Sequence, residues 1–211
     1  MLKFCSALCV LSLCLVLPLA HADTVYNSPA SFAAAAPSTT TVPFVVGSGS
    51  YIFEGTSSFS VGPVSFSTPN GSDMFLINPG YYASSYGSNF LSVDYSTDTL
   101  TITFPSTTAV AFDIGGLYSG ITVPLILSDG FSDSITAPGS ISGGALDFFG
   151  VTTTTPITSL TLDLPDFPNY NALANFTYGT GVSATPEPSS LILMATGLAG
   201  AAGAIRRKLR S

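Results

Sequence analysis

Strict two-residue alternation between apolar and polar side chains constrains this chain more than any other feature. Leu100-Thr101-Ile102-Thr103-Phe104 and Val110-Ala111-Phe112-Asp113-Ile114 both show it, as do Ile121-Thr122-Val123-Pro124-Leu125 and Leu160-Thr161-Leu162-Asp163-Leu164. On a pleated strand successive side chains point to opposite faces, so this pattern buries one set and solvates the other. Further strands are expected at 42–46, 51–54, 59–66, 74–77, 90–95, 131–136, 145–151 and 173–178. Turn-forming clusters separate them: Pro69-Asn70-Gly71, Asn78-Pro79-Gly80, Ser128-Asp129-Gly130, Pro138-Gly139 and the stretch 165–169. Many short strands with frequent turns and almost no helical period predict an all-β, antiparallel sandwich or barrel. Pro124 inside an otherwise regular strand predicts an edge position or a bulge.

One helix is expected before the sheet. Ser28 suits its cap, Pro29 its first turn, and Phe32 its buried anchor, with Pro37 ending it. From Tyr81 to Asn89 no period is visible, which predicts a long exposed loop. Its Tyr81, Tyr82 and Tyr86 are candidate stacking surfaces for sugar rings, because tyrosine offers a flat apolar face with a polar rim. A covering role at one end of the sandwich is the competing reading.

The ends differ in character from the middle. Lys3, the apolar run 4–17, Pro18 and the small residues Ala20 and Ala22 form a signal-peptide pattern, predicting cleavage before Asp23 and export through the Sec machinery. Cys5, Cys9, Cys14 and His21 all fall within that leader. All twelve acids lie between Asp23 and Glu187, where there is no Lys, Arg or His. Nothing there neutralises phosphates, so nucleic acid is excluded as a partner. The usual nucleophile–base pairs and the usual ligands of zinc, copper and haem are missing as well.

Carboxylate chemistry and hard-cation binding remain. Asp129 and Asp133 flank a turn at Gly130 and are the candidate ligands for Ca²⁺, which takes several oxygen donors. The competing reading makes Asp129-Gly130 a hairpin turn with Asp133 facing solvent, and it is favoured because no full calcium-loop motif is present. A glycosidase needs two facing carboxyl groups. Glu54, Asp113, Asp129, Asp133, Asp147 and Asp163 are available, and no spacing singles out a pair.

The C-terminal end carries the most specific signal. Pro186-Glu187-Pro188 lies in a short polar linker, an uncharged apolar stretch follows from about 189 to 205, and Arg206, Arg207, Lys208 and Arg210 close the chain. That stretch is near the lower limit of roughly 17 residues for a membrane-spanning helix. Its basic end is expected to stay cytoplasmic, leaving the acidic domain across the membrane. This arrangement closely resembles the PEP-CTERM sorting signal of Gram-negative bacteria. The resemblance implies processing by an exosortase-type membrane enzyme, with Pro186, Glu187 and Pro188 as recognition residues, and delivery to the outer envelope or exopolysaccharide matrix.

Several segments of the domain are similar to exported β-sandwich proteins that bear such a tail: 26–44, Ala109 to Asp113, Phe148 to Val151 and Ala172 to Tyr178. Those proteins usually read Asp-Asn before the final aromatic strand; here the pair is Ala174-Asn175. This similarity implies a jelly-roll or lectin-like sandwich. The sequence thus predicts a leader at 1–22, a sandwich at 23–183 and a sorting tail with a transmembrane helix at 184–211. The expected role is non-catalytic, structural or glycan-binding, with exopolysaccharide as partner. A secreted carboxylate-dependent hydrolase is the alternative.

Overall fold

The computed structural model describes residues 23–46, 51–53, 57–79, 87–93, 99–116, 120–137, 139, 146–164, 171–182, 197–198, 200–201 and 206. β1 (Thr24–Tyr26), α1 (Pro29–Ala35), β2 (Ser38–Thr41) and β3 (Tyr51–Phe53) come first. β4 (Ser58–Val61), β5 (Val64–Ser67), β6 (Met74–Ile77) and β7 (Phe90–Val93) follow, then the long β8 (Thr99–Gly116). β9 (Ile121–Leu127), β10 (Ser132–Ala137), the long β11 (Asp147–Asp163) and β12 (Asn171–Thr180) complete the sheet. The pairing of these strands is antiparallel throughout.

β8 and β11 pair along most of their length and organise everything else. The start of β8 and the end of β11 lie in one half-sheet, flanked by β5 and β4 on one side and by β9 and β10 on the other. The other ends of the same two strands lie in a second half-sheet, with β1 outside β11 and with β12 beside β8. β12 in turn carries β2 and β7, and β7 leads to β6 and β3. The register between β8 and β11 shifts between Thr152 and Ile157. Pro105 and Pro156 sit at that change, and a residue without an N–H is tolerated where a ladder is already broken.

The alternating apolar residues of both halves meet in one core. Phe66 of the first half approaches Phe176 of the second at 6.1 Å between ring centroids, and Phe104 lies 5.6 Å from Phe176. Leu100, Ile102, Val110, Phe112, Leu160 and Leu162 are buried around them. The outward face of the second half is covered in part by α1. Ser28 caps this helix by accepting the Ser31 N–H at 3.3 Å, and Pro29 opens it. Phe32 buries itself over Ala109 and Ala111. Gly150 makes this close seat available, since a Cβ there would lie 2.7 Å from the Phe32 ring.

Three strand expectations change. The alternating runs at 100–104 and 110–114 belong to one strand, as do 147–151 and 160–163 of the runs expected at 145–151 and 160–164, because a bent strand crosses from one half to the other without a turn. The run 59–66 is a hairpin rather than a strand. Gly62, at φ +60, supplies the positive φ that a two-residue hairpin loop demands, and Pro63 suits the negative φ that follows. The pairing segment expected at 42–46 lies earlier, at Ser38–Thr41, where it runs along β12. Pro124 sits just before Leu125, the last β9 residue paired with β11, so its missing N–H falls where β9 has β10 alone as neighbour.

Among the described residues, no helix is long and apolar enough to cross a membrane. The expected transmembrane segment lies almost wholly outside them. Gly197, Leu198, Gly200, Ala201 and Arg206 are described, and all five are helical and exposed.

Candidate functional site

The two half-sheets leave a cleft where their edge strands approach each other. A parallel bridge between Gly116 and Gly139 ties the end of β10 to the end of β8. Ile114 of β8 pairs with Asp147, so this tie brings the β10 edge beside the start of β11. The resulting cavity has a volume of about 310 Å³ and is lined by Asp133 to Thr136, Asp147 to Phe149, Val25 and Asn27. That is the lower end of the range of about 300–1,000 Å³ typical of small-ligand sites.

Two-residue spacing sets Asp133 beside Ile135 on β10 and Asp147 beside Phe149 on β11, each pair on one face of its strand. Ile135 and Phe149 are buried and form an apolar floor, while Asp133 and Asp147 are exposed at the rim. Phe148 is half-buried, held by a ring contact to Phe32 at 5.8 Å. The site therefore offers two carboxylates, an amide and an aromatic edge, with no cation. Such a set accepts hydrogen bonds from hydroxyl groups and repels anions. Asp133 and Asp147 were individually visible in the sequence, but their meeting depends on the Gly116–Gly139 bridge, which leaves no sequence signal. Asn27 had no signal beyond its place before the helix cap.

A second polar feature lies on β8 and β12. Asn175 donates from Nδ2 to Asp113 Oδ2 at 2.6 Å. Asn175 has φ +51, and the β8–β12 register shifts between Ala174 and Thr177, so a bulge turns its side chain toward Asp113. Burial raises the Asp113 carboxyl above its ordinary 3.8, and the Asn175 hydrogen bond offsets part of that rise. With the folded value raised, the folded state holds the proton at pH values where the unfolded chain has lost it. Stability from this group is then lost as pH rises from 3.8 through the folded value. Asp113→Asn keeps an acceptor for Asn175 and removes the ionisation. It is expected to be more stable than wild type at pH 7, the difference vanishing below 3.8. Urea midpoints at several pH values measure this.

The other sequence candidates fall as follows. Asp129 sits in the β9–β10 hairpin: its Oδ1 accepts the Phe131 N–H at 3.1 Å, the Gly130 N–H reaches the Leu127 carbonyl at 3.0 Å, and Gly130 has φ +94. This is a tight turn closed by a glycine bulge. Asp133 Oδ1 accepts the Ser134 N–H at 2.8 Å. Among the described residues, no group of three acids, His or Cys is placed to hold a metal ion. Tyr81, Tyr82 and Tyr86 lie outside the described residues, as do Ala20 and Ala22, the Pro186-Glu187-Pro188 motif, and Arg207, Lys208 and Arg210.

Comparison with known families identifies one segment. Residues 184–208 match the family model described as the PEP-CTERM protein-sorting motif. The chain carries that sorting signal, which marks it as exported and sorted through its C-terminal end. No curated protein matches the chain. Solved structures similar to it include a family 11 carbohydrate-binding module from Clostridium thermocellum in complex with a β-1,3-1,4-mixed-linked tetrasaccharide. It shares 11% identity, with 70% of this chain and 98% of that chain covered, at a TM-score of 0.37. A family 29 carbohydrate-binding module shares 13% identity, covering 72% and 96%, at a TM-score of 0.34. A family 61 module in complex with β-1,4-galactotriose shares 13%, covering 56% and 89%, at a TM-score of 0.36.

Proposed function

We propose that this protein is a non-catalytic, glycan-binding component of the cell surface or extracellular matrix, with its bent sheet acting as a lectin-like sandwich. The cleft between the edge strands carries the reading. Carboxylates and an amide at its rim accept hydrogen bonds from sugar hydroxyls, and its aromatic and aliphatic floor suits their C–H faces. The missing cations turn it away from phosphorylated and uronate polymers and toward neutral polysaccharide. The leader pattern at 1–22 supports passage through the Sec machinery, and the tail supports a transient inner-membrane anchor with a cytoplasmic C-terminus and its removal by an exosortase-type enzyme.

The rival reading is a carboxylate-dependent hydrolase, and one observation favours it: Asp133 and Asp147 line the same cleft. A glycosidase also needs a carboxyl kept protonated near the scissile bond. Asp113, whose carboxyl burial raises, is not part of the cleft lining. The test is calorimetric titration with neutral oligosaccharides, run beside a reducing-sugar assay. Binding without turnover is expected. Asp133→Asn with Asp147→Asn should weaken that binding about tenfold, the loss of one or two charge-assisted hydrogen bonds. Reducing ends released by wild type and not by the double variant would establish the hydrolase instead.

A further inference from the structure

The outward face of the first half-sheet is built largely of serine and threonine side chains. Where Leu100, Ile102, Phe66, Leu160 and Leu162 point into the core, their strand neighbours point away from it. The registers align those neighbours in rows across the strands. One row reads Ser60, Ser65, Thr103 and Ser159 across β4, β5, β8 and β11. The next reads Ser58, Ser67, Thr101, Thr161, Ile126 and Ser132, continuing through β9 to β10. At about 4.8 Å between strands, that row extends about 24 Å. Hydroxyl pairs hold parts of the face in order, Ser60 with Ser65 at 2.9 Å and Thr122 with Thr136 at 3.2 Å.

Two further properties narrow what such a face can hold. Asp163, paired with Thr99, is the charged member of these aligned positions, so the rows themselves are neutral. Ile126, 56% exposed, stands in the long row as an apolar contact beside Pro124, which is exposed as well. We propose that this face is a second glycan surface, along which an extended neutral polysaccharide lies with hydroxyls on the serine and threonine rows and a C–H face on Ile126 and Pro124. Anionic polymers have no cation to meet between residues 23 and 188 and are repelled by the twelve acids of that stretch. The same charge opposes a second copy of the chain. Exchanging one water hydrogen bond for one sugar hydrogen bond gains little, so affinity on this face accumulates only by repetition along a polymer.

The inference rests on the glycan reading, and length dependence separates the two sites. The cleft takes a short oligosaccharide, and the face takes a polymer. The exported protein is mixed with microcrystalline cellulose, curdlan and insoluble mannan, sedimented, and titrated separately with soluble tetrasaccharides of the same linkages. Retention on at least one solid is expected. Thr101→Val, Thr103→Val and Thr161→Val together should lower it about tenfold. Valine keeps the β-branched shape, and an unchanged melting temperature confirms that the variant folds. Thr103→Lys, which puts a charge in the row, should act in the same direction. Full retention by the triple variant, or retention on none of the three solids, overturns the inference, and tetrasaccharide binding that persists leaves the cleft reading standing. Shaping of ice crystals without retention on any solid would assign the face to a different lattice and overturn it too.

Discussion

Phe66→Ala is expected to cost about 3–5 kcal/mol of stability. Phe66 is fully buried, and its ring is surrounded by Phe59 at 5.0 Å, Phe44 at 5.5 Å and Phe176 at 6.1 Å. It stands on β5, so it ties the β4–β5 hairpin to β8 and reaches across the core to the second half-sheet. Truncation removes the transfer free energy of the ring and leaves a hole bounded by three other rings, which cannot collapse without moving two half-sheets. Domains of this size have about 5–15 kcal/mol in total, so the variant should sit near the edge of unfolding at 37 °C. A urea midpoint lowered with an unchanged slope would show it. Phe66→Leu, which keeps much of the apolar volume, should lose less than half as much.

The same residue illustrates what a sequence can carry. Its burial was legible, because Val64, Phe66 and their neighbours alternate with serines. Its partners were not, since Phe66 and Phe176 are joined by a sheet that doubles over at Pro105 and Pro156. Local periodicity reports which face a side chain takes but not where a long strand bends. The helix was legible from end to end because its cap, its first-turn proline and its terminating proline are all local signals. The Gly62-Pro63 turn was legible in principle, but the apolar residues on either side masked it. The cleft was the least accessible. Asp133 and Asp147 are 14 positions apart, and a single backbone bridge, made by two glycines without side chains, brings their strands together. On the open face of the first half-sheet, the individual serines and threonines were visible as the polar phase of the alternation. Their alignment into rows needed the register.

Glu187→Ala is expected to abolish surface delivery while leaving the domain folded. Residue 187 lies in the segment 184–208 that matches the sorting motif, in a linker whose two prolines prevent strand or helix from continuing into the tail. The apolar stretch from about 189 to 205 rises about 25 Å as a helix, short of a hydrocarbon core of about 30 Å. A helix this short, with Gly197, Gly200 and Gly203, would hold a protein only marginally, and its small residues would permit close packing against a membrane enzyme. Those properties suit an anchor that is recognised and removed. Wild type should therefore appear outside the cell without residues 191–211, as mass spectrometry of the secreted fraction would show. Glu187→Ala should be retained at the inner membrane with its tail intact. Deletion of 191–211 should release the domain into the periplasm, never anchored. The three fates separate recognition from anchoring. If Glu187→Ala and the deletion both leave processing and delivery unchanged, the proposed route fails. Loss of the tail would also take Arg206, Arg207, Lys208 and Arg210 from the chain. The delivered domain would then be wholly anionic, which accords with the preference for neutral polymers inferred from its two polar surfaces.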